Sequence, residues 1–320
     1  MLTVYNWENG ALKEATDISD SCWIDLTEPT TAELERVLTK SGVPRDFLTD
    51  PLDKDERPRY DVDDGAHLLI IHVPFQVQML DDDALPYQTI PLGIILFGRS
   101  VITICGAQTP VTAAFLDQIR RVCPPSEQFR FAFRLLWHSA VLFLRYLHDI
   151  YLRSEAIEQD LHQSISNEAL LRLFTIEKTL VYFTTSLKAD NILMTRLGTL
   201  RSLSLSEDDR DILDDAAVEY LQAMETATIH SNILTGTLDT FASLINNNLN
   251  NVMKYLTVAT IILAVPTLIT SAFGMNVSLP LSATIEGCHP HAFAIIMAMC
   301  GGAACTVIGL LFYLYRKRVF

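Results

Sequence analysis

The chain is poor in basic residues and lacks any cysteine pattern. It has 24 Lys and Arg against 38 Asp and Glu, a formal net charge of -14 over 320 residues. Nucleic-acid phosphates are held by Lys and Arg, so this deficit excludes nucleic acid as a partner and favours cations. The six cysteines (Cys22, Cys105, Cys123, Cys288, Cys300 and Cys305) form no Cys-x-x-Cys pair and have no framework spacing. That excludes a disulfide scaffold and points to a reducing compartment for the large domain. There is no nucleophile elbow, Walker loop or dinucleotide fingerprint, so the chain is not read as an enzyme. Residues 1–10 carry neither a basic region nor an apolar run, so no signal peptide is expected.

Apolar residues make up 49% of the chain, and they concentrate near one end. Residues 255–273 contain no charge, and neither do residues 291–315. The first run gives about 28 Å of helix, close to the hydrocarbon thickness of a bilayer. Lys254 and the triplet Arg316, Lys317, Arg318 flank these runs, while the loop 274–290 holds Glu286 as its one formal charge. Positive residues mark cytoplasmic ends, so two membrane spans are expected, with both termini inside and the loop outside. The competing reading is a hydrophobic hairpin buried in a soluble core, which two uncharged runs of this length disfavour.

Residues 1–125 alternate strand and helix signals and read as a cytoplasmic α/β domain with a mixed or antiparallel sheet. Residues 21–26, 67–73, 90–97 and 100–105 are the strand candidates, with Gly98-Arg99 as a tight hairpin turn. Thr30 and Glu33 form a capping box. Residues 113–122 read as helix. Residues 126–205 read as two long helices that break near 164–167, and 206–254 as a stalk helix running into the first span. Asp208, Asp209 and Asp211 favour its N-terminus. One helix over 206–273 would be about 100 Å long, and a helix of that length implies bundling. Trp23 and Trp137 read as core residues. His67 and His72 read as structural, on opposite faces of a strand.

Steps of four and three along the long helix put Asp239, Ser243, Asn246, Asn250, Met253, Thr257, Thr260, Ala264, Thr267, Ser271 and Gly274 on one seam. The average step of 3.5 is the coiled-coil period. From Asn246 to Gly274 the seam carries no charge. Around a central axis it would line a narrow pore, with Met253 and Leu256 as an apolar constriction that gates by dewetting. Neutral oxygens suit Mg²⁺, which sheds its water reluctantly. Ordinary helix packing by small residues is the competing reading.

The segments Asn251-Val252-Met253-Lys254-Tyr255-Leu256-Thr257, Pro266-Thr267-Leu268-Ile269 and Phe273-Gly274-Met275-Asn276 resemble the CorA family of divalent-cation transporters. So does Asp55-Glu56-Arg57-Pro58-Arg59-Tyr60-Asp61. The resemblance implies a funnel-shaped homopentamer with an α+β cytoplasmic domain, a stalk helix and two C-terminal transmembrane helices in the cell membrane. It implies a selectivity ring at Gly274, Met275 and Asn276, and polar pore positions at Asp239, Asn250 and Thr267. It implies a gate at Met253 and Leu256, and a regulatory Mg²⁺ site using Asp215. The second carboxylate of that site falls loosely in 76–84, where Val77 cannot bind metal and Asp81, Asp82 and Asp83 lie close by. The family's acidic run after the asparagine is replaced here by Val277-Ser278-Leu279-Pro280, leaving Glu286 to attract cations. Cys288-His289-Pro290-His291 carries soft metal ligands at a spacing too tight for one chain to enclose an ion. The alternatives are a Zn²⁺ transporter resembling the ZntB branch, and a membrane-anchored sensor that binds cations without conducting them.

Overall fold

The computed structural model describes residues 1–76, 87–163, 166–200, 203, 205–274 and 298–309. They divide into two compact units, Met1–Leu238 and Asp239–Phe320. The first is an α+β domain built on a seven-stranded sheet.

The strands are β1 (Leu2–Glu8), β2 (Ala11–Ala15), β3 (Cys22–Thr27), β4 (Arg59–Asp63), β5 (Ala66–Gln76), β6 (Tyr87–Phe97) and β7 (Ser100–Cys105). Their order across the sheet is β2-β1-β3-β7-β6-β5-β4. The sheet is mixed, as expected: β3 and β7 are parallel and the other pairs antiparallel. The central strands carry near-continuous apolar runs because both faces are covered. Cys22, Ile24 and Leu26 pack with Val37, Phe47 and Leu48 on one face. Trp23 points the other way and meets Phe115 and Phe131, with ring centroids 6.0 and 5.5 Å apart.

Helix α1 (Thr31–Ser41) opens with the expected capping box. Thr30 accepts from the Glu33 N–H while the Glu33 carboxylate accepts from the Thr30 N–H, and Gly42 closes the helix in the left-handed region. Helix α2 (Arg45–Thr49) leads into a 3-10 turn, Asp50–Leu52. Pro51 packs onto the sheet at Gly93 of β6, where a Cβ would collide with its ring. The Gly98-Arg99 turn joins β6 to β7 in register, with Gly98 at φ 55°.

Three longer helices follow α3 (Pro110–Ile119): α4 (Gln128–Gln163), α5 (Asn167–Thr199) and α6 (Glu207–Phe273). Ser166 caps α5 by accepting from the Ala169 N–H, and Ser206 caps α6 through the Asp209 N–H. Trp137 is a correction: it lies 37% exposed on α4, outside the core that claims Trp23. The paired strands β1 and β2 form a hairpin across Asn9 and Gly10, both at positive φ. This Asn-Gly turn is the signal that marks a hairpin outside the strand candidates of the sequence.

In the second unit, the C-terminal part of α6 supplies the one helix among the described residues long and apolar enough to cross a membrane. A shorter apolar helix spans Ala298–Gly309.

Candidate functional site

The motif at 55–61 shapes the edge of the sheet. Arg59 reaches Asp50 at 2.6 Å and also pairs with Glu56 and Asp61. Burial pulls the guanidinium pKa down, but the three carboxylates outweigh it and the net shift is upward. This clamp fixes the start of β4 against the 3-10 turn. Next to it, the Tyr60 hydroxyl lies 2.7 Å from His67 Nδ1, and His72 Nε2 lies 3.1 Å from the Glu56 carbonyl. Both histidines have structural partners, as expected, and burial lowers both pKa values.

Asp239, Asn246, Asn250, Met253, Leu256, Thr257, Thr260, Ala264, Thr267 and Ser271 all lie on α6 and are exposed in the single chain. A 3.5-residue repeat drifts by ~20° per heptad on a straight helix. Across the five heptads from Asp239 to Gly274 the seam therefore winds by roughly 100° unless helices coil around each other. Its upper part is continuous: Thr260, Ala264, Thr267 and Ser271, with Leu263 and Leu268 beside them, line an open groove of about 560 Å³.

Four hydroxyls of this seam share one geometry. Thr257 donates to the Met253 carbonyl at 2.8 Å, Thr260 to Leu256 at 2.8 Å and Thr267 to Leu263 at 2.7 Å. Lower down, Ser243 donates to the Asp239 carbonyl at 3.0 Å. Each proton is held by the helix's own backbone, which leaves the oxygen lone pairs facing outward. Such a face accepts hydrogen bonds and does not donate them. It suits the water shell of a cation, whose protons point outward.

The helix ends at Gly274, whose N–H is shared between the carbonyls of Thr270 and Ser271 at 3.0 and 3.1 Å. A Cβ at Gly274 would meet those two oxygens at 3.4 and 3.5 Å, ordinary contact. The chain's own helix therefore makes no steric demand for glycine there. Met275, Asn276 and Glu286 lie outside the described residues, as do Asp81, Asp82, Asp83 and the segment 288–291. Asp215 is exposed on α6. Among the described residues no group of three or more His, Cys, Asp or Glu comes together in a way that could hold a metal ion.

Two features fall outside the sequence reading. Arg130 of α4 ties to Asp209 at 3.0 Å, Asp208 at 3.5 Å and Glu127 at 2.7 Å, anchoring the first turn of α6. Asp190 of α5 is fully buried. Charged residues inside a helical pattern read as solvent-facing, so nothing local signals either one.

The cobalt/magnesium transport protein CorA of Methanocaldococcus jannaschii is 28% identical over 300 residues, covering 92% of this chain and 90% of that protein. The complete structure of the CorA magnesium transporter from the same organism superposes with a TM-score of 0.79 at 25% identity, covering 99% of this chain and 98% of that one. The ZntB cytoplasmic domain from Vibrio parahaemolyticus shares the fold, with a TM-score of 0.58 at 14% identity over 78% of this chain and 98% of its own. The model of the CorA-like Mg²⁺ transporter protein family matches residues 19–317, and the chain belongs to that family.

Proposed function

We propose that the chain transports divalent cations, Mg²⁺ first and Co²⁺ or Ni²⁺ with it, through a membrane pore formed by copies of α6. Family membership and the relatives' cargo support the cation class. The observation that carries the pore is the set of back-bonded threonines at 257, 260 and 267. Together they form an uncharged, acceptor-only face on a helix apolar enough to span a bilayer.

In this reading the protein is a homopentamer. Residues 1–125 and 126–205 are its cytoplasmic part, 206–254 the stalk, 255–273 and 291–315 the spans, and 316–320 a basic cytoplasmic tail. The loop 274–290 lies outside, and Asn276 with Gly274 receives the hydrated ion. Five helices around an axis also supply the crowding at Gly274 that the single chain lacks. Met253 and Leu256 form the constriction. Cytosolic Mg²⁺ bound at Asp215 holds the pore closed by neutralising carboxylates brought together between subunits. A dication gains about 4.6 kcal/mol per 100 mV of membrane potential, enough to drive entry without other coupling.

Flux of Mg²⁺ into liposomes holding only this protein tests the reading, with Asn276→Ala beside the wild type. Loss of flux with the oligomer intact is the expected result, and normal flux in the variant refutes the pore assignment. The shared fold with the ZntB cytoplasmic domain makes Zn²⁺ the competing cargo. Competition between Zn²⁺ and Mg²⁺ in the same liposomes decides between them.

A further inference from the structure

Asp190 sits where four elements meet, with a relative exposure of 0%. Its Oδ1 accepts the backbone N–H of His72 at 2.9 Å. That N–H needs an acceptor because the pairing of β4 with β5 ends at Arg59 and Ile70, leaving the β5 backbone beyond without a strand on that side. One turn before Asp190, Ser186 lies 2.7 Å from Thr89 of β6, so this face of α5 is fixed against the sheet.

The other carboxylate oxygen, Oδ2, is buried without a hydrogen-bond partner. Tyr220 of α6 and Ser139 of α4 are also fully buried, and their hydroxyls lack partners in hydrogen-bonding geometry. Tyr220 feels the Asp190 charge and adjoins Ser139. The His72 N–H from β5 is bonded to the carboxyl, the Tyr220 hydroxyl from α6 lies within electrostatic reach of it, and Ser139 from α4 adjoins Tyr220. The His72 imidazole is turned to the Glu56 carbonyl. None of these groups is a cation. An ionised carboxylate without a counter-charge in such a place is strongly destabilising. A neutral acid instead supplies a donor to a cluster of acceptors.

We propose that Asp190 is held as a protonated carboxylic acid, and that its proton joins the Tyr220 and Ser139 hydroxyls in a buried node that positions α6 against the sheet. Burial pushes the Asp190 pKa well above the usual carboxylate range, against the single opposing effect of the His72 N–H. Stability from this group is therefore complete below the ordinary carboxylate pKa and is lost as pH rises through the raised one. Asp190 acts as a positioning residue through Tyr220, which lies on the helix that carries the seam. Its relevance to flux rests on the transport reading above, but the protonation state can be measured without it.

The test is infrared spectroscopy of the full chain in lipid nanodiscs at about pH 7, comparing wild type with Asp190→Asn. The expected result is a carbonyl band of a protonated acid in the wild type, absent in the variant and shifted by Tyr220→Phe. Asp190→Asn should match the wild-type melting temperature only below the ordinary carboxylate pKa, melt at a higher temperature than wild type near neutrality, and lose the decline of stability that runs from 3.8 up to the raised pKa. A wild-type spectrum without the acid band overturns the proposal, and so does an unchanged pH slope in Asp190→Asn. If Asp190→Asn fails to fold, the band and its shift in Tyr220→Phe still decide the matter. Liposome flux against internal pH reads the coupling: an alkaline loss present in the wild type and missing in Asp190→Asn supports it. Flux in both that ignores pH overturns the positioning role. No flux in the wild type, with the acid band present, sinks the transport reading and leaves the node standing.

Discussion

Arg130 and Asp209 hold the first turn of α6 to α4, with Nε and Oδ1 3.0 Å apart. The contact is partly buried, with side-chain exposures of 29% and 18%. Asp209 thereby serves twice, since its N–H is also capped by Ser206. Arg130→Ala should remove about 1 kcal/mol, as for a partly screened ion pair. The effect should localise: amide exchange should rise in residues 207–212 and not in α5. Uniform exchange across α6 would contradict this anchoring.

Gly93 leaves room for the ring of Pro51. A Cβ there would also sit 2.8 Å from Ile104 Cγ2, and neither neighbour is the free end of a flexible chain. Gly93→Ala should therefore destabilise the first unit by about 2 kcal/mol through overpacking. A drop of several degrees in melting temperature is the measurement, and an unchanged value would show that the 3-10 turn yields easily.

Asp25 carries a pH dependence of its own. Trp23 Nε1 donates to Thr103 Oγ1 at 2.9 Å, and Thr103 donates to Asp25 at 2.7 Å. Burial raises the Asp25 pKa from 3.8 to about 6, opposed by the hydroxyls of Thr103 and Thr112. The folded state thus favours the protonated form. Its stabilising effect is full below 3.8 and is lost as pH rises through about 6. The shift is equivalent to about 3 kcal/mol. Asp25→Asn should flatten the stability curve in this window, measured by denaturant midpoints at intervals of pH.

Thr267→Val preserves shape and removes the outward oxygen of the seam. The lost interaction with an ion's water is about 1 kcal/mol, so flux should fall by roughly fivefold or more. Helix content should not change, because the hydroxyl's own bond runs to the Leu263 carbonyl within the helix. Unchanged flux would remove Thr267 from the ion path.

What the sequence discloses is what local chemistry decides. The capping box at Thr30 and Glu33, the turn at Gly98 and the cap at Ser206 are each determined within a few residues. The buried run through β5 is legible because both of its faces are covered. The β1–β2 hairpin is less so, since Lys13 and Glu14 interrupt a five-residue strand. The parallel pairing of β3 with β7 joins residues 78 apart, such as Trp23 with Val101, and no local pattern encodes it. Trp137 shows the converse: a large ring in an apolar helix still falls on the outer face. On α6, periodicity groups the positions, but where each hydroxyl proton goes is set by the helix backbone.

In the proposed pore, that bonding pattern would bear on selectivity. Oxygens whose protons are tied back to the backbone would disfavour anions there without carrying any charge. From Asn246 to Gly274 nothing on the seam titrates, so acidity cannot alter that stretch. Any response to acidity must come from elsewhere in the chain.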